Sequence, residues 1–207
     1  LVETEKVTVS VGADYRSGIN LSIDDGTATF TDIPPSLLGT FPETTNFSGK
    51  LSLPSVTTGG LAINYKLSEK NEITFLYDYA LNGWSSYDTL AFDFENEATP
   101  DSKTPKNWTN ASAHRFGLEF KLDKIYFRAG VYHDQTPTEE NNVSPEAPER
   151  THMAPTFGLG ANISDSFIVD VSYIPQNYSG ETAAGTAGFE YKYNRSINVL
   201  SLSATFK

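Results

Sequence analysis

FGLEFKLDKIYFRAGVYHDQTP, residues Phe116 to Pro137, decides how the rest of the chain is read. Phe116, Leu118, Phe120 and Leu122 alternate with Gly117, Glu119 and Lys121, and Asp123-Lys124 then turns the chain. On the return, Ile125, Phe127, Ala129 and Val131 alternate with Tyr126, Arg128, Gly130 and Tyr132. A period of two on both sides of a two-residue polar turn predicts a β-hairpin. Each arm has roughly the nine to eleven residues with which a tilted strand crosses a bilayer. At their far ends both arms run into long polar segments, not directly into further tight turns.

The same alternation recurs along the chain. Val7, Val9, Val11, Ala13 and Tyr15 share one phase; Ile19, Leu21 and Ile23 carry the apolar face past Ser17-Gly18, as far as Phe30. The stretch from Lys50 to Leu67 reads as extended, with Pro54 and Gly59-Gly60 marking a bulge or kink. Further strands follow on Ile73 to Leu81, Phe157 to Ile163, Phe167 to Tyr173 and Val199 to Phe206, about nine in all. Connections near Ser17, Ser68–Asn71, Asp123-Lys124 and Ser164-Asp165 are short. Those spanning Ile33–Gly49, Asp88–Asn110, Asp134–Ala154 and Gly180–Tyr193 are long. Strict short–long alternation is the pattern of outer-membrane barrels, whose periplasmic turns are short and extracellular loops long. Tyr15, Tyr65, Tyr77, Tyr79, Tyr132, Tyr173 and Phe206 fall toward strand ends, where interfacial girdles form. A soluble β-sandwich alternates too, but gives no reason for turns to sort by length.

Composition narrows the function. The 207 residues carry a formal charge of −11 and no basic cluster, which excludes a nucleic-acid partner. There is no cysteine and no apolar run of ~18 residues, so disulfides and transmembrane helices are excluded. No signal peptide is visible at Leu1. With a periplasmic C-terminus, nine strands make Val7–Arg16 run inward. Open sheet edges in lipid leave backbone groups unsatisfied at several kcal/mol each. The expectation is therefore one domain over residues 1–207, the C-terminal part of a larger antiparallel transmembrane β-barrel.

Several segments in order resemble a known family: YRS (Tyr15–Ser17), GKLSLP (Gly49–Pro54), NGWSSY (Asn82–Tyr87), RFGLEFKL (Arg115–Leu122), FRAGVYHDQTP (Phe127–Pro137), PER (Pro148–Arg150) and FGLGANISDSFIVDVSY (Phe157–Tyr173). Together they are similar to the C-terminal half of the outer-membrane long-chain fatty-acid and hydrocarbon transporters, FadL/TodX. The resemblance implies a 14-stranded barrel with an N-terminal hatch, monomeric at full length. It also implies passive passage of long-chain fatty acids or aromatic hydrocarbons, and contact with outer-membrane lipid and lipopolysaccharide. It further implies that Lys106 stands where a family lysine contributes to a ligand site.

Within that frame, Leu76, Tyr126, Tyr132, Ile168 and Ile174 fall on the otherwise polar phase, where they suit a hydrophobic ligand or pack against a plug. Arg115 and Arg128 are further cations for a ligand carboxylate. Their phases also match Asp78, Glu119 and Asp170, which predicts an ion-pair ladder across the lumen. Trp84, where its strand emerges, reads as an interfacial anchor or a ligand contact. His114, His133 and His152 lack metal-ligand spacing, and no cofactor or catalytic motif occurs. An outer-membrane lipid hydrolase would need a serine beside one of these histidines.

Overall fold

The computed structural model describes residues 2–138, 150–182 and 190–206; for residues 181, 182 and 191 it describes backbone only. Thirteen strands appear among them: β1 (Val2–Glu3), β2 (Val7–Arg16), β3 (Ile19–Thr29), β4 (Thr44–Leu53), β5 (Val56–Lys66), β6 (Asn71–Asn82), β7 (Thr89–Phe94), β8 (Ser102–Pro105), β9 (Ala111–Leu122), β10 (Ile125–Asp134), β11 (His152–Ser164), β12 (Phe167–Thr182) and β13 (Tyr191–Phe206). Nine form one open antiparallel sheet in the order β1-β2-β5-β6-β9-β10-β11-β12-β13. β3, β4, β7 and β8 form a second sheet.

The hairpin from Phe116 to Asp134 forms with the predicted turn, Leu122 facing Ile125. Asp123 holds φ 52°, a left-handed conformation that a short polar side chain tolerates. Its amide bonds to the Lys70 carbonyl and the Asn71 side chain, tying this turn to the one below β5 and β6.

Four expectations change. Ser17-Gly18 is no turn. Arg16 faces Val56, and three residues on Ile19 faces Leu53, so β2 and β3 are two parts of one arm whose return is β4 and β5. Ser-Gly is turn chemistry, but pairing with the opposite arm keeps the segment extended. Val7–Arg16 consequently runs antiparallel to the C-terminal strand rather than parallel, and the short β1 restores the count of nine. Gly59-Gly60 lies in unbroken ladder, opposite Ala13 and Gly12; the interruption is at Pro54-Ser55, and register shifts occur at Ile23/Gly26 and Asn162/Ser164. Finally, β12 and β13 continue far past Tyr173, pairing out to Thr182 and Tyr191.

Burial is inverted relative to a soluble protein. The buried apolar residues among those described are alanines, Ala80, Ala111, Ala113 and Ala154. Phe75, Phe116, Phe157, Leu159 and Leu202 lie exposed on one face of the large sheet, Leu202 at 75 %. They pack against no second sheet, which removes the sandwich reading. An apolar face turned outward on every spanning strand is stabilised only in lipid. From Ile125 to His133 the outward side chains span about 27 Å of strand, and tilt brings this close to the ~25 Å apolar band of such barrels.

Beyond the band, β3 and β4 rise as a hairpin to which β7 and β8 are added. Phe47 packs edge-on against Phe92, and Phe30 against Phe41, giving this second sheet an aromatic filling.

Candidate functional site

The inner face of the large sheet is built in levels, because the register sets alternate side chains of neighbouring strands side by side. Nearest the short turns, Lys121 on β9 pairs with Glu72 on β6 at 3.1 Å. Asn64 on β5 donates to both Glu72 and Thr74. The Tyr126 hydroxyl accepts from Asn162 at 3.1 Å, while the Arg128 guanidinium carbon lies 5.1 Å over the Tyr126 ring.

One level up, Arg128 holds two carboxylates. Its Nε donates to Glu119 on β9 at 2.5 Å, and its Nη1 to Asp170 on β12 at 2.6 Å. β11 lies between Arg128 and Asp170, and there the chain has Gly158 and Gly160. A β-carbon on Gly158 would come within 3.2 Å of Arg128 Cβ, and one on Gly160 within 2.8 Å of Arg128 Nη1. The glycines open the lane through which the arginine crosses a strand.

Above this lies a lane of small residues, Ala62, Gly117 and Gly130, with Leu76 resting on Gly117. Arg115 then pairs with Asp78, Nη1 to Oδ1 at 2.5 Å. Two concavities meet at Arg115. One, about 500 Å³, is lined by Ser10, Gly12, Gly60, Ala62, Leu76 and Asp78. The other, about 390 Å³, is lined by Tyr132, Asp134, Thr156, Ile174 and Gln176. Tyr132 takes a hydrogen bond from Gln176 and faces inward, so it is no part of the girdle. Higher still, His152 stacks on Tyr178 with centroids 4.9 Å apart.

The predicted ladder therefore forms, with the partners that strand phase suggests. Leu76, Tyr126, Tyr132, Ile168 and Ile174 share its face, Ile168 two residue pairs beyond the Gly160–Asp170 pair, opposite Asn162. Lys106 is half-buried in the segment between β8 and β9, off the wall, with its amide on the Asp88 carbonyl at 2.6 Å. Trp84 sits in a single 3-10 turn after β6, edge-on to Trp108 at 5.0 Å, and Tyr87 packs on Trp108 likewise. Trp108 escaped the sequence reading because no periodicity marks a loop residue. The Lys121–Glu72–Asn64 group escaped it because Asn64 and Glu72 lie at strand ends. Pro148 and Glu149 of the PER segment lie outside the described residues; Arg150 donates to the Ser179 carbonyl at 3.3 Å.

On the outer face, His114 and His133 oppose each other across β9 and β10, rings 6.3 Å apart, and Tyr77 bonds to His114 Nδ1 at 2.9 Å. Among the described residues no serine hydroxyl bonds to His133.

An open antiparallel wall with lipid outside and paired charges inside has counterparts. Residues 3–207 match the family model for outer membrane protein transport protein, OMPP1/FadL/TodX. The chain belongs to this family. No curated protein matches the sequence. Among solved structures, the crystal structure of a Pseudomonas aeruginosa FadL homologue superimposes with a TM-score of 0.72 at 20 % identity. It covers 99 % of this chain, which in turn spans 50 % of that homologue's length. The fold of this OMPP1/FadL/TodX member is thus the transmembrane β-barrel wall, and its place is the outer membrane.

Proposed function

We propose that this chain forms wall of an outer-membrane channel through which hydrophobic compounds enter by passive diffusion, long-chain fatty acids foremost. The observation carrying this reading is the composition of the inner face. Water-filled porins line their lumen with polar groups throughout; here a lane of Ala62, Leu76, Gly117 and Gly130 runs between charged levels whose arginines are each held by carboxylates of the wall. Such a lane offers an acyl chain apolar contact along the wall.

The wall needs further strands to close, since backbone groups along an open edge in lipid cost several kcal/mol each. These would precede β1, together with any hatch, in a barrel that is monomeric. The long connections face the exterior, where lipopolysaccharide meets the rim, and the C-terminus faces the periplasm. Leu76, Tyr126, Tyr132, Ile168, Arg115, Arg128, Lys106 and Trp84 are the ligand-contact residues in this reading. Uptake of radiolabelled oleate and toluene by cells carrying the full-length protein tests it. A gain over vector control for oleate is expected; no gain for either compound would sink the proposal.

A further inference from the structure

Arg115 and Arg128, both on the inner face, are built alike on one side and differently on the other. Each takes a carboxylate from its register partner, Arg128 from Glu119 and Arg115 from Asp78. Arg128 takes a second carboxylate, Asp170, from two strands further along the wall. Arg115 has no second acid within ion-pairing distance among the described residues. At Arg115 the side toward β10, β11 and β12 is occupied instead by the concavity of about 390 Å³. A guanidinium has five N–H donors in a planar fork, and Asp78 engages only Nη1. The Arg115 side chain is also the more open of the two, 52 % exposed against 36 %.

From this comparison we propose that the concavity beside Arg115 is a carboxylate subsite, in which the acid of an amphipathic ligand takes the place that Asp170 takes on Arg128. This rests on the channel reading above and deepens it, because it assigns the ligand an anionic head. The Tyr132 hydroxyl, Gln176 and Thr156 border the head position with polar atoms, and Ile174 gives the chain its first apolar contact. From there the small-residue lane at Gly130 and Gly117 leads along the wall to Leu76. Asp134 also lines the concavity. Its charge opposes an anion, so binding depends on Arg115 and is weakened by Asp134. A neutral hydrocarbon gains nothing from either residue.

The test uses the full-length protein in detergent, with oleate, methyl oleate and toluene as probes and affinities read by calorimetry. Wild type is expected to prefer oleate over methyl oleate. Arg115→Gln should weaken oleate by about tenfold or more, the scale of one lost charge-assisted contact, and leave methyl oleate and toluene unchanged. Asp134→Asn should tighten oleate several-fold. Ile174→Trp, which fills the concavity without altering charge, provides a second route if Arg115→Gln fails to fold, and it should also weaken oleate. Equal wild-type affinity for oleate and methyl oleate would overturn the subsite, as would oleate binding unchanged in a folded Arg115→Gln or Ile174→Trp protein. Either result would leave the channel reading standing, since that falls only if wild type takes up neither compound.

Discussion

Gly160 lies beneath the Arg128 guanidinium so closely that a β-carbon there would stand 2.8 Å from Nη1 and collide with the Asp170 carboxylate it holds. The three-residue bridge Glu119–Arg128–Asp170 thus depends on a residue that takes no part in it. Gly160→Ala is expected to destabilise the barrel by about 1–3 kcal/mol, the usual cost of overpacking a fitted site. Arg128→Ala should cost a similar amount, by leaving two partly buried carboxylates facing each other without a cation. If the bridge is what Gly160 protects, Gly160→Ala should add little on top of Arg128→Ala. Urea unfolding of the full-length protein in bilayers measures all three variants; additive losses would contradict the link.

The two faces of one strand pair give a second prediction. Leu159 points outward and Ser172, a neighbour across β11 and β12, inward. Leu159→Arg should cost about 2–4 kcal/mol, as a cation does near the bilayer midplane, whereas Ser172→Arg should cost under about 1 kcal/mol. The same folding equilibrium reads both. Equal costs would contradict the assignment of faces.

Outside the band, Trp84 and Tyr87 meet Trp108 edge-on in a three-ring cluster. Aromatic pairs of this kind contribute about 0.5–1.5 kcal/mol each beyond their buried area. Trp108→Ala removes both contacts and should loosen the segment that holds Lys103 and Lys106. Trypsin cleavage after those lysines in the full-length protein should then quicken at least about fivefold. An unchanged rate would mean that the cluster does not hold the segment.

A fourth expectation concerns the upper part of β12 and β13. Residues 176–180 pair with residues 193–197 although they rise beyond the apolar band. Their ladder amides should exchange with deuterium far more slowly than those of a loop, by a factor of about a hundred or more. Loop-like exchange would show that the hairpin ends near Tyr173.

That hairpin also shows where the sequence stops being readable. Inside the band, lipid demands an apolar side chain at every second position, so Phe157 to Ile163 and Phe167 to Tyr173 announce their strands. Above it both faces are wet, and Ile174-Pro175-Gln176-Asn177 loses the period although its pairing continues. The charged ladder was legible because Arg128, Glu119 and Asp170 sit on one phase. The unmatched side of Arg115 was not, since its concavity is assembled from Tyr132, Thr156 and Ile174 on three strands that phase alone cannot order. Ser17-Gly18 misled in the opposite sense: its turn chemistry is real, but the opposite arm overrides it.

Those residues have a mechanical consequence. Ser17-Gly18 and Pro54-Ser55 are two successive rows without ladder pairing, set between two paired regions that keep one register. They form a joint at the foot of an arm that β3's eleven residues make about 35 Å long. A swing of roughly 10° at such a joint carries the tip about 6 Å sideways while the wall stays still. The expected motion is a sweep of the arm's tip over an area of the surroundings. Because the chain has no cysteine, nitroxide labels introduced at Asp32 and on β5 would read that sweep directly.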